Sequence, residues 1–92
     1  MICELCRREV PETTVHHLVP RDEGGRNGPT ADLCPACHRQ VHALFDNRTL
    51  ARELPSLESL RGDPRVGSFI RWVRKQDPAR RIRVQRSASR RR

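Results

Sequence analysis

Apolar positions follow three patterns along the chain, and each predicts a different kind of element. Towards the C-terminal end, Val66, Phe69, Ile70 and Val73 recur at i, i+3, i+4 and i+7, the spacing of one helix face. Asp63 and Pro64 stand just before that stripe as a cap and a first-turn proline, so a helix is predicted through "DPRVGSFIRWVRKQ", with Trp72 beside the stripe. Earlier, "PACHRQVHALF" opens on another first-turn proline, Pro35, and places Val41, Leu44 and Phe45 on one side. Between these, "NRTLAREL" follows an Asn47 cap and carries Leu50 and Leu54, while "SLESLRG" carries Leu57 and Leu60 and stops at Gly62. The second pattern is short and β-rich: Thr13 to Val19 ends at Pro20, and Ala31 to Leu33 reads as a returning strand. The third is the polar stretch "RDEGGRNGPT", whose glycines, Asn-Gly and proline predict a loop. The helices over 48–77 read as a lid packed on a small N-terminal unit. A single α+β domain over 1–77 is expected.

Composition changes this picture in two ways. A chain of 92 residues with only 3% aromatics builds a modest core, and domains of this size often lean on a metal or on disulfides. The net charge of +8 is also uneven. Residues 1–77 hold 12 Lys/Arg against 11 Asp/Glu, whereas "PARRIRVQRSASRRR" over 78–92 holds seven Arg and no acid. Such a run repels itself and buries little, so 78–92 is expected to be a disordered basic tail. Arginines at this density attract phosphate backbones without regard to sequence, which makes Arg80, Arg81 and Arg83 candidate nucleic-acid contacts. The alternative is a tail that serves solubility alone. "MICELCRREV" lacks the apolar core of a signal peptide. No run approaches the ~20 apolar residues of a membrane span. A cytoplasmic protein with no membrane partner is expected, and in a reducing compartment closely spaced cysteines are metal ligands rather than disulfides.

Cys3-x-x-Cys6 and Cys34-x-x-Cys37 form two knuckles separated by 27 residues. Four thiolates in this arrangement predict a closed, structural zinc site with four cysteine ligands, whose binding energy is also folding energy. A redox dithiol would not need two knuckles. "CPACH" matches the pattern of c-type haem attachment, but that chemistry needs export and leaves the first knuckle unexplained. All four histidines fall between 16 and 42. His38 and His42 lie one helical turn apart and share a face. His16, on the facing strand, would supply a third ligand. Neighbouring strand residues point to opposite faces, so His17 would stand beside the metal rather than on it. This arrangement suits phosphodiester hydrolysis. His16, His38 and His42 would hold a metal against the leaving oxygen, and His17 would be the general base, an imidazole poised near neutral pH. The alternative is that some histidines complete the zinc shell or lie on the surface.

The stretch "CELC…VHHLVPRDEGGRNG…LCPACHRQVH", over about residues 3–45, resembles the HNH endonucleases whose ββα-metal core is braced by two Cys-x-x-Cys knuckles. The following stretch through Gln76 resembles the C-terminal part of small bacterial members. The resemblance implies a small α+β fold: a ββα-metal (His-Me finger) core over 3–45, a structural four-cysteine zinc site, a helical extension over 48–77 and the tail. It implies His16, His38 and His42 as ligands of one divalent metal (Mg²⁺, Mn²⁺, Ni²⁺ or Zn²⁺) and His17 as the base. It implies DNA gripped through the minor groove, with 5′-phosphate and 3′-hydroxyl products. The family's middle Asn has no counterpart in "PTADL" before Cys34, so orientation of the base falls to Asn27, to Asp32 or to a backbone carbonyl. Arg21, Arg26 and Arg39 are candidate phosphate contacts. One domain offers few base-reading side chains, so contacts would be mostly to the backbone, and specificity would call for a protein partner or a homodimer. The competing readings are a non-catalytic zinc-ribbon nucleic-acid-binding module and a degenerate nuclease that docks on a phage or repair complex.

Overall fold

The computed structural model describes residues 1–83. Two strands, β1 (Thr14–His17) and β2 (Thr30–Leu33), pair antiparallel with Thr14 opposite Leu33 and His17 opposite Thr30. A 3₁₀ turn over Arg21–Glu23 begins the connection between them. Four helices follow: α1 (Pro35–Leu44), α2 (Asn47–Glu53), α3 (Leu57–Gly62) and α4 (Pro64–Val73). The order β1, β2, α1 is the expected ββα unit, and the later helices are the expected extension. Among the described residues no helix is long and apolar enough to cross a membrane.

The loop between the strands explains the paired glycines. Gly24 sits at φ 92, a left-handed conformation that glycine adopts at little cost. Gly25 is held by contact instead: a Cβ there would lie 1.7 Å from the carbonyl oxygen of Val19. Chain reversal after β1 therefore depends on the absence of a side chain at 25.

The N-terminal knuckle is a tight turn closed by Arg7 N–H to Cys3 O (2.8 Å) and Cys3 N–H to Arg8 O (3.1 Å). Arg7 takes a positive φ of 65, which few non-glycine residues adopt. Glu4 fastens the turn to the sheet edge: its N–H donates to Asp32 O (2.8 Å) and its carboxylate accepts from Asp32 N–H (2.6 Å). That junction brings Cys3 and Cys6 up to Cys34 and Cys37 at the start of α1.

Apolar residues of all parts meet in one core. Leu5, Leu33, Val41, Leu50, Leu60, Val66 and Val73 are buried in a single cluster with the four cysteines. The helical lid is also bound to the knuckle by polar contacts: Arg61 donates to Glu4 O (2.8 Å), Arg74 to Cys6 O (2.8 Å) and Arg8 to Gln76 O (3.2 Å).

Several local expectations need correction. The cap of α2 is Asp46, whose carboxylate accepts from Thr49 N–H; Asn47 is the first helical residue. Both residues are good caps, and the helix starts one position earlier than the sequence suggests. Asp63 caps α4 as expected, accepting from Arg65 and Val66 N–H. Trp72 is 48% exposed and packs its ring against Phe69 at the margin of the stripe. Of the segment expected to be a basic tail from 78, the described residues run through 83, where Ile82 is buried and Arg39 donates to its carbonyl (3.0 Å). One apolar residue inside the arginine run supplies the burial that composition alone did not promise. Residues 84–92 lie outside the described residues.

Candidate metal centres

Two clusters of ligand-type side chains form, one from each set seen in the sequence. Cys3, Cys6, Cys34 and Cys37 are all buried, and their sulfurs lie within 4.8 Å of one another. Tetrahedral zinc with bonds of about 2.3 Å places sulfurs about 3.8 Å apart, so this set fits. Backbone donors already face the sulfurs: Cys6 N–H points at Cys3 Sγ and Cys37 N–H at Cys34 Sγ. Cys34 is also the N-cap of α1, so its sulfur sits where the helix dipole favours negative charge.

Arg8, which the sequence did not single out, completes this environment. Its guanidinium reaches Cys6 Sγ (3.3 Å) and Cys34 Sγ (3.5 Å). Proton affinities in the cluster are mutually dependent. For Cys3 the largest influence, from Cys34, opposes ionisation, but Cys37 and Cys6 outweigh it and bring the thiol down to about 6. Cys6 and Cys34 are likewise lowered to about 6, whereas hydrogen bonds from Cys3, Cys34 and Cys6, with burial, drive Cys37 upward. A bound cation is what allows all four to act as thiolates.

The second cluster is His16, His38 and His42, whose ring nitrogens also lie within 4.8 Å of one another. The rings meet at centroid distances of 5.0–5.3 Å. β1 turns His16 inward, to 1% exposure, against the face of α1 that carries His38 and His42. The Nε2 of His16 is buried with no hydrogen-bond partner. A buried polar atom without a partner is uncommon, and a metal ion would satisfy it. Burial, followed by the neighbouring His38, His42 and His17, pushes His16 down to about 4; burial and His42 do the same to His38. Both imidazoles therefore stay neutral, the form that binds metal.

Thr14, a second residue missed in the sequence, lies two positions before His16 and so on the same strand face. Its hydroxyl is 2.6 Å from His38 Nδ1 and 3.3 Å from Leu33 O. With the hydroxyl donating to Leu33 O, His38 Nδ1–H donates to the hydroxyl. That fixes the tautomer and leaves Nε2 as the free lone pair.

His17 is half-buried and lines a surface hollow with His38, His42, Arg21, Asp22 and Asn47. The alternation of β1 thus separates the two histidines as anticipated: His16 goes under, and His17 stands at the rim. Asn47 donates to both carboxylate oxygens of Asp22 (3.0 and 3.1 Å) at the edge of this hollow. No sequence signal links that pair, since 25 residues separate them. Asn27 lies in the exposed turn between the strands and is not part of the lining. Asp32 is exposed on β2 and tied through its backbone to Glu4. Arg21 lines the His17 hollow, Arg39 lines the flank of α1 beside His38, and Arg26 is exposed in the turn. Arg80 and Arg81 wall a separate hollow near Cys34, and Arg83 is exposed beyond it.

A family model described as HNH endonuclease matches residues 3–44, the span that holds both clusters. The uncharacterised protein YisB of Bacillus subtilis (strain 168) is 47% identical over 89 residues, covering 97% of this chain and 89% of YisB. No solved structure gives a significant match.

Proposed function

The chain belongs to the HNH endonuclease family, and from that membership we propose that it is a metal-dependent endonuclease acting on DNA phosphodiester bonds. The observation that carries this reading is the division of labour between two neighbouring residues. His16 is buried in a three-histidine cluster with an unpartnered ring nitrogen, while His17 faces the open hollow beside it. Buried polar atoms normally have a partner, and a metal ion shared with His38 and His42 would give His16 Nε2 one.

In this reading His16, His38 and His42 hold one divalent ion, which when bound supplies positive charge against the phosphate and the departing oxygen. His17 accepts a proton from the attacking water. Thr14 holds the His38 ring in the tautomer that presents Nε2. Arg21, at the rim, lies where it would contact a backbone phosphate. Asn47 and Asp22 share the hollow with His17, and with Asn27 they are the side chains that would orient the proposed base. The four cysteines hold a structural zinc that keeps the first knuckle against α1.

A plasmid-nicking assay on zinc-loaded protein, with added Mg²⁺, Mn²⁺ or Ni²⁺, tests this reading beside His17→Ala. Loss of a general base should slow nicking by about 10²–10⁴-fold while zinc content and melting temperature hold. Equal rates in the two proteins would remove His17 from the mechanism. Absence of nicking by the wild type, with DNA binding retained, would favour a non-catalytic nucleic-acid-binding module.

A further inference from the structure

Hollows line α1 from the histidines to the cysteine knuckle. The one at His17 shares His38 and His42 with a second, formed with Thr14, Pro35 and Arg39. The second shares Pro35 and Arg39 with a third, about 160 Å³ in volume, that lies against Cys34. These shared residues set the three hollows side by side along α1. Seven residues of helix separate His42 from Pro35, or about 10 Å along the axis of α1.

The hollow against Cys34 is strongly basic. Arg8, Arg39, Arg80 and Arg81 wall it against a single carboxylate, Glu12. Two of these cations are already engaged: Arg8 with the sulfurs of Cys6 and Cys34, and Arg39 with Ile82 O. Arg80 and Arg81 are exposed, and among the described residues no carboxylate pairs with either guanidinium. They are nonetheless held in place. Ile82 is 5% exposed, Arg80 N–H donates to Asp77 O, and Ala79 N–H donates to the Asp77 carboxylate. A run of arginines serving solubility alone needs no such anchor beside a concave surface.

We infer that this hollow is a second phosphate site, in which Arg80 and Arg81 contact a backbone phosphate of nucleic acid whose scissile group lies at the histidines. The inference rests on the nuclease reading for the occupant of the histidine end. The Ile82 anchor makes the first basic residues of the C-terminal segment part of the binding surface.

The test measures binding rather than cleavage, on the full zinc-loaded chain carrying His17→Ala and a 25-base-pair duplex. Each phosphate contact contributes about 0.9 to the slope of log affinity against log salt. Removing two by R80Q/R81Q should shrink the affinity loss between 50 and 200 mM salt by about tenfold. R71Q/K75Q, which removes two exposed charges away from the three hollows, should leave the slope unchanged. Ile82→Ser keeps every charge but frees the segment, and should also weaken binding and flatten the slope. An unaltered slope in R80Q/R81Q, an equal change in R71Q/K75Q, or full affinity in Ile82→Ser would each overturn the second site. Nicking is then measured with His17 restored. A wild type that does not nick counts against the endonuclease alone, whereas nicking with an unaltered salt slope counts against the arginine hollow alone.

Discussion

At the residue scale, two side chains touch the candidate ligands without being candidates themselves. Arg8 offsets charge on Cys6 and Cys34, and partners of this kind commonly carry 10–100-fold in metal affinity. Arg8→Met should therefore release zinc faster to a competing chelator, with Arg8→Lys intermediate because a point charge cannot span both sulfurs. Thr14→Val removes the hydroxyl from His38 Nδ1 and should weaken divalent-metal binding at the histidines by about 10–100-fold. Isothermal titration with the cysteine site already filled would show it, and unchanged affinity would dismiss the tautomer argument. The histidines also set a pH dependence. His16 and His38 are held down to about 4 in the fold, against about 6.5 in an unfolded chain. Between these values the unfolded chain binds more protons, so stability rises with pH across the window and is lost as pH falls from 6.5 towards 4. Thermal melts across that range should show the slope, and His38→Asn should flatten it in part.

At the element scale, caps and turns fix where each ligand-bearing segment begins. Asp63 holds two N–H groups at the start of α4, and Asp63→Ala should cost about 1 kcal/mol, with Asp63→Asn close to neutral. Gly25→Ala should cost more than that, because its Cβ meets the Val19 carbonyl and β1 can no longer reverse into β2. Denaturant melts compare the three variants directly. Helix periods, the first-turn prolines and the Asp63 cap were legible because they depend on residues a few positions apart. Asp46 instead of Asn47 was not, since both are good caps and the choice turned on one position of register. The strands came out shorter than the β-rich run, Thr14–His17 rather than Thr13–Val19, because pairing ends where the partner strand does.

At the scale of the whole molecule, knuckle, ββα unit and helical lid share one core, and the cysteines sit inside it. Removing zinc should therefore unfold both halves together rather than melt the knuckle alone. Addition of a strong chelator, followed by far-ultraviolet circular dichroism, should show one cooperative loss of helix. Survival of α2–α4 after chelation would mean that the lid folds independently.

The sequence by itself determined which atoms are available for chemistry. Two knuckles, a His-His pair on a strand and a His-x-x-x-His on a helix are local patterns, and strand and helix periods alone put His16 and His17 on opposite faces and His38 and His42 on one. Only the tertiary structure decided what surrounds those atoms. Arg8 on the sulfur of Cys34, Asn47 on Asp22, and Ile82 anchoring Arg80 and Arg81 beside α1 all join residues far apart in the chain. Such contacts arise from packing the lid onto the ββα unit, and burial of a shared core sets that packing over distances that sequence periodicity does not reach.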